Sequence, residues 1–258
     1  LGPLIHNKQA VAKYEERGMM TVDTIEELEK IEGQKARENS DTSKGREMII
    51  RSHGVSKSVY DEAKLKGIPI IDTTCPFVRK IHYLANKCYE DGKQLIVIGD
   101  KNHPEIIGIN GWSSHSAIIA KNLEEIYNIS FDTEKDYFIV AQTTMNEKEF
   151  DAIIEYIDSL DIRYGVENTI CSATRVRQES ARDLAQRVEL MIVIGGKHSS
   201  NTQKLVKICQ GIVDTFSIET KEDLDRELLA KYTSIGITAG ASTPDWIIEE
   251  VIDFLKEL

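Results

Sequence analysis

Three kinds of loop recur along this 258-residue chain at a common spacing near 96 residues. An internal repeat constrains a fold more tightly than any local pattern does. The first kind is Gly2-Pro-Leu-Ile-His6-Asn7, then Gly99-Asp-Lys-Asn-His103-Pro104-Glu105, then Gly195-Gly-Lys-His198-Ser199-Ser200-Asn201, with histidines 97 and 95 residues apart. The second carries His53, Thr143 and Ser242, separated by 90 and 99 residues. The third occurs twice, as Asp72-Thr-Thr-Cys75-Pro76 and Asn168-Thr-Ile-Cys171-Ser172, with the cysteines 96 residues apart. Strand–turn–helix alternation is common to all α/β proteins and accounts for some self-similarity. It does not account for cysteines, histidine loops and hydroxyl loops keeping one offset.

The later loops follow short apolar, β-branched runs such as 95–98 and 191–194 and precede helix-like patterns. The 3.6-residue periodicity predicts helices over 146–160 and 175–188, and Pro244 suits the first turn of a final helix. Strands alternating with helices predict an α/β fold with mostly parallel sheets and right-handed crossovers. The repeat divides it into three similar small α/β domains meeting around a central site: 1–74, 75–170, and 171–258 with the C-terminal helix. Residues 34–45 lack an apolar period and read as a surface loop insertion without chemistry of its own. The chain opens on Leu1 inside a motif-like run and reads as a fragment whose first domain lacks an N-terminal strand and helix.

A net charge of −11 makes the chain a poor partner for nucleic acid. The longest apolar run, 190–196, is far short of the ~20 residues of a membrane helix, and the start has no signal-peptide pattern. Four cysteines are too few for a disulfide scaffold at this length and fit a reducing cytoplasm.

In open α/β sheets ligands sit at the carboxyl ends of strands, where all of these loops fall. The inward set is His6, Asn7, His53, His103, Glu105, Thr143, Thr144, Ser199, Ser200, Asn201 and Ser242. It is rich in neutral donors at helix starts, which suits a diphosphate-sized anion. Taken alone, the Ser199–Asn201 run reads equally as plain helix caps. Glu105 is either a first-turn carboxylate or, beside an anion that raises its pKa, a proton donor. Cys75 and Cys171 open equivalent helices, where a thiolate is favoured; they are open to a cluster, a zinc ion or neither. Cys88 and Cys209 read as small core residues. His82 and His115 have no partner in the repeat and read as core or surface residues.

Together these motifs resemble the 4-hydroxy-3-methylbut-2-enyl diphosphate reductase (IspH/LytB) family, in the family's order and over nearly the whole chain. The resemblance implies a pseudo-threefold trefoil around a [4Fe–4S] cluster held by three cysteines. It implies reductive loss of the substrate hydroxyl as water, giving isopentenyl and dimethylallyl diphosphate in the last step of the non-mevalonate (MEP) route. Cys75 and Cys171 would be cluster ligands. His6, His53, His103, Thr143, Ser199, Ser200, Asn201 and Ser242 would hold the allylic diphosphate. Glu105, Thr143 and His103 would deliver protons, and a ferredoxin or flavodoxin would supply electrons. Using the repeat as ruler, the third cysteine ligand is expected about 21 to 22 residues before Leu1. Two alternatives stand beside this reading: an iron–sulfur dehydratase resembling quinolinate synthase, and a non-catalytic module that binds a phosphate ligand.

Overall fold

A computed structural model describes residues 1–5, 7–37 and 47–257. Packing divides the chain into two compact units. The first comprises Leu1–Leu4 and Gly18–Ile170, the second Ile5–Arg17 and Cys171–Leu258. Helix α1 (Lys8–Glu15) therefore belongs with the second unit.

The first unit runs α2 (Ile25–Arg37), β1 (Met48–Ile50), α3 (Lys57–Leu65), β2 (Ile70–Asp72), α4 (Pro76–Glu90), β3 (Gln94–Ile98), α5 (Pro104–Trp112), β4 (Ile118–Ala120), α6 (Leu123–Tyr127), β5 (Asp136–Ala141), α7 (Glu147–Asp158) and β6 (Arg163–Glu167). Its strands make two parallel sheets, β1-β2 and β4-β3-β5-β6. The second unit continues with α8 (Ser172–Ala185), β7 (Leu190–Ile194), α9 (Ser200–Gln210), β8 (Asp214–Ile218), α10 (Arg226–Leu229), β9 (Ile235–Ala239) and α11 (Asp245–Lys256). Its parallel sheet has the order β8-β7-β9.

Strand β3 shows why an unbroken apolar run becomes a strand here. Successive side chains point to opposite faces. Ile96 and Ile98 pack with Phe150, Ile153 and Ile157 of α7. Leu95 and Val97 pack with Ile81 and Ala85 of α4 and with Ile106 and Ile109 of α5. Strand β7 repeats the division: Met191 and Val193 face α8 and α9, while Leu190, Ile192 and Ile194 face α11. Each fully buried aliphatic side chain contributes about 1.5–3 kcal/mol over exposure, so the two central strands anchor their sheets.

The repeat is also written in backbone hydrogen bonds. The N–H groups of Gly2, Gly99 and Gly195 donate to Val22, Ala120 and Ile218 over 2.7, 2.8 and 2.8 Å. Gln142 and Gly240 donate to Ile98 and Ile194, both over 2.8 Å. The bonds of Gly99, Gln142, Gly195 and Gly240 fix the turns at the carboxyl ends of β3, β5, β7 and β9, where the polar loops lie.

Some expected boundaries move. Helix α8 spans Ser172–Ala185, starting and ending three residues before the expected 175–188, because its small polar first turn lies outside the apolar stripe. Helix α7 is Glu147–Asp158; Asn146 lies outside it, its side chain accepting from the Glu149 N–H. Pro244 is the N-cap of α11, extended at φ −66° and ψ 146°, and not a first-turn residue. Residues 34–37 of the expected loop continue α2; 38–45 lie outside the described residues. No helix among the described residues is long and apolar enough to cross a membrane.

Candidate active site

In the first unit, Pro104 opens α5 and His103 caps it. The His103 Nδ1 accepts the Glu105 N–H over 3.1 Å. With Nδ1 accepting, the proton of a neutral imidazole sits on Nε2, which becomes a donor edge. One residue into the helix, Glu105 is buried at 1% exposure. One carboxylate oxygen accepts the Thr143 N–H and the other accepts the Thr143 hydroxyl, both over 2.6 Å. Thr143 reaches it from the turn after β5, which stands beside β3 in the sheet.

His53 joins this group from the loop after β1, its ring 5.4 Å from that of His103 and edge-on to it. The same loop holds Cys75, whose N–H donates to the Ser52 carbonyl over 3.0 Å. The structure thus brings together Cys75, His53, His103, Glu105 and Thr143. The sequence motif contains Gln142 without giving it a role; the structure shows that it ties the turns, its Oε1 accepting the Asp100 N–H over 3.1 Å and its Nε2 donating to Thr144 over 3.2 Å. Its place beside Thr143 in the repeated loop was the available signal.

The second unit carries the other predicted residues. Ser199 caps α9, its hydroxyl accepting the Thr202 N–H over 3.4 Å, so the cap reading of this residue is correct. Asn201 differs. It is 4% exposed, and neither its Oδ1 nor its Nδ2 has a hydrogen-bond partner among the described residues. A buried amide left so costs about 1–3 kcal/mol unless a ligand satisfies it. Ser242 lies in the turn after β9, next to Thr243, whose hydroxyl donates to the Ile194 carbonyl over 3.0 Å. The first turn of α9 closes on this turn: a Cβ on Gly240 would lie 2.2 Å from Thr202 Oγ1. His6 lies outside the described residues; its neighbour Asn7 caps α1, accepting the Ala10 N–H over 2.8 Å.

Cysteine chemistry separates cleanly. Cys75 and Cys171 are the N-caps of α4 and α8, half-buried, outside any disulfide, and neither thiol caps its helix. Accessible thiols free of any disulfide are what an iron–sulfur cluster takes as ligands, so both suit one in kind. Cys88 and Cys209 are buried in the core, and burial pushes their thiols up to about 11. No three histidine, cysteine or acidic side chains among the described residues gather into a metal site. Of the remaining histidines, His115 is exposed in a turn and His82 is a core residue. The expectation that His82 has no partner in the repeat is corrected: it stands seven residues after Cys75, as Gln178 stands seven after Cys171.

Comparison with known proteins agrees over the whole length. The family described as LytB protein matches residues 1–256. The 4-hydroxy-3-methylbut-2-enyl diphosphate reductase of Clostridioides difficile (strain 630) is 55% identical over 258 residues, covering 100% of this chain and 88% of that protein. The enzyme of the same name from Caldanaerobacter subterraneus subsp. tengcongensis is 46% identical, covering 100% and 85%. Among solved structures, the Plasmodium falciparum E-1-hydroxy-2-methyl-but-2-enyl-4-diphosphate reductase superposes with a TM-score of 0.85 at 29% identity, covering 100% of this chain and 76% of that one. A second, described as the terminal enzyme of the non-mevalonate pathway, gives 0.65 at 36% identity, covering 100% and 87%.

Proposed function

The chain belongs to the LytB protein family, and from that membership we propose that it is a 4-hydroxy-3-methylbut-2-enyl diphosphate reductase. It removes the allylic hydroxyl of its substrate as water, with two electrons and protons, and yields isopentenyl and dimethylallyl diphosphate. Membership sets aside the dehydratase and binding-module alternatives. Residues 1–74, 75–170 and 171–258 are its three repeats.

Cys75 and Cys171 would hold a [4Fe–4S] cluster, for which their half-buried thiols at helix starts are suited. When bound, such a cluster supplies the electrons and a Lewis-acidic iron for the departing oxygen. A ferredoxin or flavodoxin is the proposed electron donor, and a reducing cytoplasm the proposed setting.

This chain's own residues bind the substrate and move its proton. The His103 Nε2–H, the His53 ring, and the polar groups of His6, Ser199, Ser200, Asn201 and Ser242 bind the diphosphate. Helix starts strengthen such donors, because their backbone dipoles point at the anion. The Asn201 Nδ2–H, without a partner among the described residues, donates to a phosphate oxygen. Glu105 holds the proton and passes it through the Thr143 hydroxyl, which both donates and accepts.

The observation that carries the reading is the buried Glu105–Thr143 pair: a carboxylate oxygen bonded to a hydroxyl at 2.6 Å is built for proton transfer. Anaerobic reconstitution with iron and sulfide, followed by reduction in the presence of the allylic diphosphate, tests it. Release of the two isomeric diphosphates is the expected result; unchanged substrate from a cluster-loaded protein would refute the assignment.

A further inference from the structure

His82 is set into α4 among Ile81 and Ala85, yet it is a polar residue at 3% exposure whose Nε2 has no partner among the described residues. Its counterpart Gln178, on α8, likewise buries an Nε2 with no partner among the described residues. A core chosen for stability alone would carry an aliphatic residue at both places. What His82 touches gives the reason for its presence. Its ring stacks on Trp112 of α5, with centroids 5.3 Å apart and planes 19° apart. A Cβ on Gly54 would lie 2.3 Å from His82 Cε1, and one on Gly108 would lie 3.4 Å from its Nε2. Gly54 has φ +71°, so its turn also needs the left-handed backbone that glycine alone adopts readily. Trp112 completes the clamp by donating its Nε1–H to the Val55 carbonyl over 3.0 Å.

We propose that His82 is a positioning residue: its flat ring, wedged between the 53–55 loop and α5, sets His53 beside His103. The loop carries His53 and α5 begins at His103, so the 5.4 Å spacing of those rings depends on what fills the gap behind them. Burial pushes the imidazole down to about 4, so near neutral pH the wedge places no charge behind the two histidines. The catalytic meaning rests on the proposed diphosphate reading; the structural part does not.

The test compares His82→Leu with His82→Gln, the residue the sister repeat uses, in the full chain. The six histidines give a small set of ring signals in histidine-selective carbon NMR. In the Leu variant the His53 and His103 signals are expected to move while those of exposed His115 and His198 hold still. Affinity for inorganic diphosphate is expected to fall about tenfold or more, as sub-ångström displacement of binding groups commonly does, and the Gln variant to recover most of it. Unmoved His53 and His103 signals with wild-type diphosphate affinity would overturn the proposal. Should the Leu variant not fold, Trp112→Phe decides. It removes the bond to Val55 and shrinks the ring on which His82 is stacked, so the wedge is no longer held against α5 and both the His82 and His53 signals must move; a His82 signal that moves while His53 holds still overturns the proposal equally. A wild-type protein that fails to turn over the allylic diphosphate counts against the proposed function and leaves the NMR comparison in force.

Discussion

Glu105 and Thr143 lie 38 residues apart and meet through two hydrogen bonds of 2.6 Å, one from the backbone and one from the hydroxyl. The pairing uses both carboxylate oxygens and holds the acid in one orientation. Glu105→Gln preserves size and burial and removes the transferable proton. Turnover is expected to fall by ~10²–10⁴ while diphosphate binding and the cluster spectrum persist. Single-turnover kinetics on reconstituted protein would check this, and near-normal rates would remove Glu105 from the proton path.

Thr143→Val separates the hydroxyl from the backbone bond. The N–H to Glu105 survives, and one carboxylate oxygen loses its donor in a buried place. A stability loss of about 1–3 kcal/mol and a turnover loss of at least tenfold are expected, with Thr143→Ser restoring both. Denaturant melts and rates on the same three proteins decide.

Asn201 separates binding from folding. Replacing it with Ala removes two buried polar atoms that have no partner among the described residues. Melting temperature should stay level or rise, while calorimetry should show diphosphate affinity down at least tenfold. A variant that melts lower yet binds normally would make Asn201 a structural residue. Ser199→Ala is expected to lose both: it takes a donor from the diphosphate and removes a helix cap worth about 1 kcal/mol, and Asp at that position should restore stability without restoring affinity.

The thiols should sort by reactivity. In the folded apo chain at mildly alkaline pH, iodoacetamide should modify Cys75 and Cys171 quickly. Cys88 and Cys209, buried and held near 11, should resist until the chain unfolds. Peptide mass spectrometry reads all four, and rapid modification of Cys88 or Cys209 would contradict the packing.

Burial holds His82 near 4 against an ordinary 6.5. Between those values the unfolded chain binds a proton that the folded chain does not. Stability therefore rises with pH through this window and is lost as pH falls, by on the order of 3 kcal/mol in full. Urea melts from pH 7 to 4 should show a shallower acid decline in His82→Leu than in the parent. Parallel declines would mean that other groups govern acid unfolding.

The sequence made the strands and loops legible because apolar runs and turn residues obey local rules. Residues 95–98 and 191–194 could hardly be anything but buried strands between two helical layers, and His103-Pro104-Glu105 could hardly lie anywhere but at a helix start. The Glu105–Thr143 pairing was less accessible, since it depends on β5 lying beside β3. Nothing in either segment encodes that adjacency except the repeat. The core place of His82 is legible from its helix, but its partner in the repeat is not, because that counterpart is a glutamine. The shift of α8 has a similar origin: its first turn is polar and small, so apolar periodicity finds the helix only after it has begun.

Gly2, Gly99 and Gly195 each donate an N–H at the start of a polar loop, Gly2 to the Val22 carbonyl and the other two to the neighbouring strands β4 and β8. At Gly99 a methyl group would lie 2.7 Å from Ile106 and 2.9 Å from Gln142; at Gly195 it would lie 2.5 Å from Thr202. Side chains elsewhere differ between the repeats, His82 against Gln178 and Thr143 against Ser242, because each has only its own pocket to satisfy. These glycines have no such latitude, since the space a substituent would need is already occupied by neighbouring side chains. They are the fossil of the repetition: ancestry persists longest where there is no room for anything to be added.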